Sequence, residues 1–573
     1  MKNKNRIYLG ILVFASMLNL LFMHYFFFFN GFLEWPWLYT VVINIFNVIF
    51  DISVLLCFFL FLLRWRLKPA LLLTYILTFV WSFVNVMYGR FFYQYISLSA
   101  IGEVQALGDG LVINSVLAEI KWYDLFFIIS LIFFIFLYRK TKKIVIEKII
   151  VLKMLGIPVI SLLMTIVTYS AYHFINPKYR NNWELYQFRI REFLYDSVRG
   201  GTPNMSHFHN GCLRVCAYEL YDMLHVTVLS EEQRKEITSY YLDKSKRLTH
   251  HQSPKVQNLI FILMESFLSA PIDLKVDGKE VTPFLNQLKR ESDVYYNGNM
   301  VSDIGGGESG DGQFIYMTGI LPLHTKVTVS QLKNHTLPAL PLVLKEYCGM
   351  NHSEIIFPTI PTLWQQADMN KVYGFTEAYS IEDIVGNPNN PINDEEVFSF
   401  AINRLDIIKE PFFSLILTLS THSPYDHFLG EDLHLCDNSL SEKYKNYLNT
   451  CHYLDKQLSR YITHLKVKGL YEKSLIVLCA DHNAHCSRFD MEGRISTYTP
   501  LFVVHGNINE AVWNGEFHQL DVYTTILDIL NVDSKWKGLG HTLLIPDYSN
   551  SVSGDAIRLS EMIIEGDFFK GQE

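Results

Sequence analysis

Two carboxylates, an imidazole and a hydroxyl in a glycine-rich turn could together hold a divalent metal and activate an oxygen nucleophile. In this sequence such residues stand where apolar runs end. Glu265 closes the run in VQNLIFILMESF, Asp481 and His482 follow SLIVLCA, and His422 lies just beyond FFSLILTL. An apolar strand leading straight into Asp-His fits a carboxylate and an imidazole offered to a metal from a rigid base. Glu, Asp and His suit Zn2+ or Mn2+, and three protein ligands leave a coordination position open for chemistry. Each residue alone has an ordinary reading: a helix cap or ion pair for Glu265, a loop hydrogen bond for His422. Their shared position at strand ends is what points to a site.

The hydroxyl is Ser309, in the stretch GGGESGDGQF at 305–314. The run precedes QFIYMTGIL, which reads as the start of a helix. A glycine loop opening a helix aims backbone N–H groups and the positive end of the helix dipole at whatever sits there. A serine at that point beside a metal loses its proton far more readily than a free hydroxyl. A slack linker has no reason to fall inside one domain, between a strand-helix unit and an apolar helix.

The elements that must position these residues alternate. Short apolar runs at 256–267, 412–419, 474–480 and 500–505 read as buried strands. Between them TPFLNQLKRES (282–292) and the long segment 441–469 carry helical spacing. Such alternation over the last part of the chain indicates an α/β fold with a mainly parallel sheet, in which ligands gather at the carboxyl ends of the strands. Upstream, SEEQRKEITSYYL (230–242) opens with Ser230 and Gln233 at capping-box spacing and predicts a helix leading into this domain.

The first third has another character. Half of the 573 residues are hydrophobic and 14% aromatic, too apolar for an ordinary soluble enzyme. Five stretches, about 7–29, 38–63, 69–89, 123–138 and 149–170, carry this excess. Most are long enough to cross a hydrocarbon core of about 30 Å. The first is too long and too aromatic for a signal peptide. Basic residues flank alternate sides: Lys2, Lys4 and Arg6, then Arg64, Arg66 and Lys68, then Arg139, Lys140, Lys142, Lys143 and Lys148, while loops 30–37 and 90–122 are poor in them. The positive-inside rule with five spans gives a cytoplasmic N-terminus and an extracytoplasmic C-terminal half. The expected organisation is a transmembrane domain over 1–172, juxtamembrane connector helices over 173–250 and a catalytic domain over 251–573. Within the connector, the aromatic and arginine-rich stretch 176–215 suits a membrane interface.

Asp51, near the middle of the second span with Asn44 and Asn47, is either functional or a polar contact within the bundle. Of eight cysteines Cys57 lies inside that span and seven lie elsewhere, so those seven cannot all pair internally; Cys212 and Cys216 could bridge outside a regular helix. The net charge of −8 and the lack of a basic stripe in the soluble half argue against a nucleic-acid partner.

With its membrane helices, its connector and the motifs NLIFILMESF, TPFLNQLKRES, GGGESGDGQF, LSTHSPY, VLCADHNAH, HQLDVYTTILDIL and GLGHTLL, the chain resembles the alkaline-phosphatase/sulfatase superfamily. Within it, the likeness is to lipoteichoic-acid-synthase-like phosphoglycerol transferases and their phosphoethanolamine-transferase relatives. The resemblance implies an N-terminal five-helix transmembrane bundle followed by an α/β sulfatase-like domain. It implies a divalent Mn2+ or Zn2+, with room for a second, held by Glu265, Ser309, Asp481 and His482. Ser309 takes the place of the family's nucleophile, usually threonine. His422 matches the histidine that contacts the substrate phosphate or leaving group, and Trp364 a tryptophan lining the headgroup pocket. His485, His518 and Asp521 are candidates for a supporting role around the metal. No C/S-x-P-x-R signature follows Ser309, which argues against formylglycine maturation. The pattern also departs at Gln366 and Phe357, where the family commonly carries arginine and histidine.

The reading that follows is a membrane-anchored phosphotransferase at a bacterial-type inner or cell membrane. It moves a phospholipid headgroup through a phospho-serine onto a cell-envelope glycan or lipid. Phosphoglycerol is suggested by the overall likeness, and phosphoethanolamine is left open by Gln366 and Phe357. A sulfatase or phosphodiesterase on the same scaffold is the nearest alternative, and a non-catalytic binding domain a more distant one.

Overall fold

In a computed structural model, the described residues are 2–29, 37–92, 95–98, 120–175, 203–224, 227–245, 254–323, 326–387, 392–423, 425, 433–484, 489, 491, 494–508 and 512–571. The chain divides into two compact units: Met1–Ile101 with Val116–His225 and His324–Lys326, and Gly102–Ser115 with Val226–Leu323 and Val327–Glu573.

The first unit contains five helices long and apolar enough to cross a membrane: α1 (Ile7–Phe28), α2 (Leu38–Leu62), α3 (Leu67–Arg90), α4 (Trp122–Lys140) and α5 (Lys148–Ile175). They match the five stretches read from hydropathy. Ile128, Ile129, Ile132, Phe133 and Phe136 of α4 are exposed, a face that suits lipid rather than water. Some polar groups inside the bundle are paired with one another. Arg90 of α3 and Asp124 of α4 make two hydrogen bonds of 2.6 Å. Helix α6 (Pro203–Leu224) is interrupted at Gly211, whose φ of +72° suits glycine. Asp51 of α2 accepts the amides just past that break, from Cys212 at 2.9 Å and Leu213 at 3.2 Å. Asp51 thus caps the second half of α6, a contact within the bundle, while Asn47 donates to the Phe208 carbonyl at 2.9 Å. Cys212 and Cys216 are free thiols, so the bridge that their spacing allowed is not formed.

Helix α7 (Glu231–Ser245) belongs to the second unit and carries the expected capping box: the Gln233 amide donates to Ser230 Oγ at 3.2 Å and the Ser230 amide to Gln233 Oε1 at 2.9 Å. The connector predicted over 173–250 is therefore shared between the units, with 176–202, 225–226 and 246–250 outside the described residues.

The second unit is built on an eight-stranded sheet: β1 (Asn258–Met264), β2 (Val294–Val301), β3 (His352–Ile356), β4 (Glu377–Tyr379), β5 (Phe412–Leu417), β6 (Ser474–Ala480), β7 (Thr499–Val504) and β8 (Phe517–His518), in the order β8-β2-β7-β6-β1-β5-β3-β4. Neighbouring strands are parallel except around β7, which is antiparallel to both β2 and β6. Strands β1 and β6 are buried along their whole length, which is why they read as unbroken apolar runs. Helix α9 (Glu442–Lys468) covers one face, burying Tyr447, Leu448, Cys451, Leu454, Leu458, Tyr461 and Leu465 at helical spacing. Helix α8 (Glu308–Thr318) begins directly after the glycine run, and α10 (Leu520–Ile529) follows β8.

Candidate active site

Strand register brings the site together. Met264 of β1 lies opposite Ala480 of β6, and Leu263 opposite Leu417 of β5. The residues that follow, Glu265, Asp481 and Thr418, therefore emerge side by side at one sheet edge. Backbone and side-chain bonds hold them level: the Asp481 amide donates to the Met264 carbonyl at 3.2 Å, and the Glu265 amide to Thr418 Oγ1 at 2.9 Å. Thr421 Oγ1 donates to the Glu265 carbonyl.

Helix α8 delivers the hydroxyl. The glycine run before it is a folded loop, because Asp311 Oδ2 accepts the amides of Gly305 and Gly307, each at 2.9 Å. Burial pushes the Asp311 carboxyl up to about 7, against those two bonds that favour its charged form. Gly312 lets α8 approach the strand ends, since a Cβ there would lie 2.0 Å from the Asp481 carbonyl oxygen. Tyr316 OH, one turn on, donates to the Ala480 carbonyl at 2.6 Å, and Gln519 Nε2 donates to the Asp481 carbonyl at 2.7 Å.

The result is a four-residue cluster. Ser309 Oγ lies 3.4 Å from Glu265 Oε2 and 3.3 Å from His482 Nε2. His482 Nε2 is 3.6 Å from both Glu265 Oε1 and Asp481 Oδ2. Nδ1 of His482 donates to the Asn483 carbonyl at 2.8 Å, which turns Nε2 toward the carboxylates. Ser266 Oγ donates to Glu265 Oε1 at 2.7 Å, and the amides of Ser266 and His482 donate to Asp481 Oδ1 at 2.8 and 2.7 Å. Burial and the neighbouring Glu265 push the Asp481 carboxyl up to about 7. Burial pulls the His482 imidazole down, but Asp481, Glu265 and Glu308 outweigh it and push it up to about 9.

This donor set fits a divalent cation. Ligand atoms of Glu265, Asp481 and His482 all lie within 4.8 Å of one another, and all three residues are buried. A tetrahedral site with bonds of about 2.1 Å separates its donors by about 3.4 Å, close to the spacings found. Crowded buried carboxylates around an imidazole are costly without added positive charge.

A cleft of about 60 Å³ opens over the cluster, its wall including Ser309, Gln313, Thr359, Trp364, Gln366 and His422. Among the described residues lining it there is no Lys or Arg. Trp364 packs over Gly310, where a Cβ would meet its side chain at 3.3 Å. Trp364 and Gln365 both hold positive φ, 49° and 48°, as do Ser266 and Glu308 beside the cluster at 48° and 42°. Such strain collects where a site needs a fixed geometry. His422 Nδ1 donates to the Ser423 carbonyl at 2.5 Å, so proton exchange on this ring falls to Nε2.

Of the remaining sequence candidates, His518 donates from Nδ1 to Asp303 Oδ1 at 2.7 Å and does not line this cleft. Asp521 accepts the amides of His518 and His541 and the Tyr548 hydroxyl at 2.7–2.8 Å, which ties the start of α10 to two loops. His485 lies outside the described residues. Phe357, where the family pattern has histidine, is 2% exposed and packs in the core, whereas Gln366 faces the cleft. Sequence reasoning missed Glu308 as a neighbour of His482, with Oε2 4.0 Å from Nδ1, and missed Gln313, Ser266 and Gln519 altogether. Gln519 stands between the two residues of HQLD that were singled out.

The lipoteichoic acid synthase N-terminal domain matches residues 1–182 and the sulfatase domain residues 257–532. Lipoteichoic acid synthase 2 of Bacillus subtilis is 30% identical over 299 residues, 49% of this chain and 46% of that protein, so the alignment spans less than half of the relative. Lipoteichoic acid synthase of Staphylococcus saprophyticus is 24% identical over 533 residues, 86% of this chain and 77% of that protein. Among solved structures, the integral membrane lipooligosaccharide phosphoethanolamine transferase A of Neisseria meningitidis shares the fold, with a TM-score of 0.56, 13% identity and coverage of 94% of this chain and 98% of that one. The chain thus carries a domain of the lipoteichoic acid synthase N-terminal type ahead of a sulfatase domain, and is similar to the lipoteichoic acid synthases along most of its length.

Proposed function

We propose that this protein transfers the headgroup of a membrane phospholipid, phosphoglycerol by preference, through a phospho-serine at Ser309 to a hydroxyl on a cell-envelope glycan or lipid. The observation that carries the reading is the joining of Ser309 Oγ, Glu265, Asp481 and His482 at the foot of one cleft. In this reading Glu265, Ser309, Asp481 and His482 would hold one Mn2+ or Zn2+, whose positive charge would favour loss of the Ser309 proton to solvent and would offset the charge developing on the phosphoryl oxygens. Ser309 Oγ attacks phosphorus in line, its bond to phosphorus forming as the bond to the diacylglycerol oxygen breaks. The N-terminus of α8 directs its amides and dipole at the transferred phosphoryl group. His422, on the cleft wall, gives a proton to the departing diacylglycerol oxygen and takes one from the acceptor hydroxyl in the second step. Acceptor oxygen then attacks phosphorus and Ser309 leaves, so the enzyme returns unchanged. Trp364 forms an apolar side of the headgroup pocket.

The domain plan proposed with it is a transmembrane part over 1–172, a connector over 173–250 and a catalytic part over 251–573 on the extracytoplasmic side. Five helices of membrane-spanning length support access to a lipid donor. The test is diacylglycerol release from phosphatidylglycerol and, separately, phosphatidylethanolamine by detergent-purified protein with Mn2+ or Zn2+. The expected result is release that Ser309→Ala abolishes. Metal-loaded wild type that cleaves a soluble diester but neither lipid would make the protein a hydrolase.

A further inference from the structure

Gln313 follows Ser309 by four residues on α8, so both side chains stand on one helix face about 6 Å apart along the axis. Gln313 is 3% exposed, lines the cleft beside Ser309, and its Nε2 is buried without a hydrogen-bond partner. Gln366, the other amide on the wall, gives its Nε2 to Asn370 Oδ1 at 2.6 Å. A buried amide donor left unpaired destabilises the fold. That cost is offset if a ligand supplies the partner.

We propose that Gln313 is a specificity residue for the donor, its amide binding a hydroxyl on the headgroup alcohol. The inference rests on the phosphotransfer reading above and adds the residue that reads the headgroup. In-line attack places phosphorus about 3–3.5 Å from Ser309 Oγ, so a group one helical turn away meets the alcohol portion beyond the phosphoryl oxygens. An amide offers one donating and one accepting side, and a hydroxyl answers both. An ammonium offers donors only and leaves Nε2 buried without an acceptor. With no Lys or Arg among the described lining residues, the headgroup alcohol meets neutral polar groups, of which Gln313 carries a buried unpaired donor. The pocket therefore takes a polyol headgroup in preference to an aminoethyl one.

The experiment compares full-length wild type with Gln313→Met, similar in shape but without hydrogen-bonding groups, on phosphatidylglycerol and phosphatidylethanolamine. Gln313→Leu repeats it should the first variant fold poorly. Expected is a KM for phosphatidylglycerol raised about tenfold, the ratio worth one ordinary hydrogen bond, with kcat changed far less. The melting temperature should stay level or rise, because an unpaired buried amide has been removed. An unchanged KM, or a lowered melting temperature with equal losses on both lipids, would overturn the role of Gln313. Wild type preferring phosphatidylethanolamine would do so too, leaving phosphotransfer standing. Wild type that turns over neither lipid would instead defeat the phosphotransfer reading itself.

Discussion

Replacing Gly312 by Ala should disable the site without altering any side chain in it. A Cβ at this position would stand 2.0 Å from the Asp481 carbonyl oxygen, whereas ordinary contact begins at 3.4 Å, so α8 and the end of β6 must part by about 1.4 Å. Neither side yields easily. The carbonyl is backbone, fixed by Gln519, and Tyr316 clamps α8 to Ala480. Ser309 would move away from His482 and Asp481 as the helix lifts. A misplacement of about 1 Å costs roughly a hundredfold in rate, and overpacking of this kind costs about 1–3 kcal/mol of stability. Gly310→Ala is the matched control, since the nearest atoms its Cβ would meet belong to the Trp364 side chain at 3.3 Å. The assay is lipid turnover with bound metal measured on the same preparations. Gly312→Ala should lose about a hundredfold in turnover together with most of its metal, and Gly310→Ala only a few-fold. Wild-type turnover and full metal content in Gly312→Ala would refute the claim that α8 and β6 jointly position the cluster.

Two further outcomes follow from contacts outside the cluster. Ser266→Ala removes the 2.7 Å bond to Glu265 Oε1 and should weaken metal binding about 10–100-fold, as seen by competition with a chelator. Asp455 accepts the amides of Phe284 and Leu285 at 2.8 Å, and burial pushes its carboxyl up to about 7 from 3.8. The native group keeps a proton that the unfolded one has lost, so its contribution is present below the unfolded pKa and fades as pH rises from about 4 to about 7. Asp455→Asn should flatten that part of the thermal-stability profile, and an unchanged slope would contradict the assignment.

How much was legible follows from where each signal resides. Strands β1, β5 and β6 announced themselves because burial on both faces keeps their interiors apolar, Ser414 of β5 being the one polar residue between the strand ends. Glu265, Asp481 and His482 stood out as the first polar residues after such runs, and Ser309 through its glycine loop. Strand β2, reading VYYNGNMV, mixes buried and exposed positions around a glycine and was not recognised. Strands β3, β4 and β8 are five, three and two residues long, too short to carry a period. That β7 runs antiparallel to its neighbours depends on chain routing, which no local pattern records. Gln313, Ser266 and Gln519 escaped for the same reason: an amide or hydroxyl gains its role from what packs against it.

The most direct test of the central claim is mass spectrometry of the peptide containing Ser309 after incubation with phosphatidylglycerol and metal in the absence of an acceptor. The account predicts a glycerophosphoryl group on Ser309, formed as diacylglycerol is released and lost when an acceptor alcohol is added. Diacylglycerol release with no adduct on Ser309, persisting in Ser309→Ala, would contradict it.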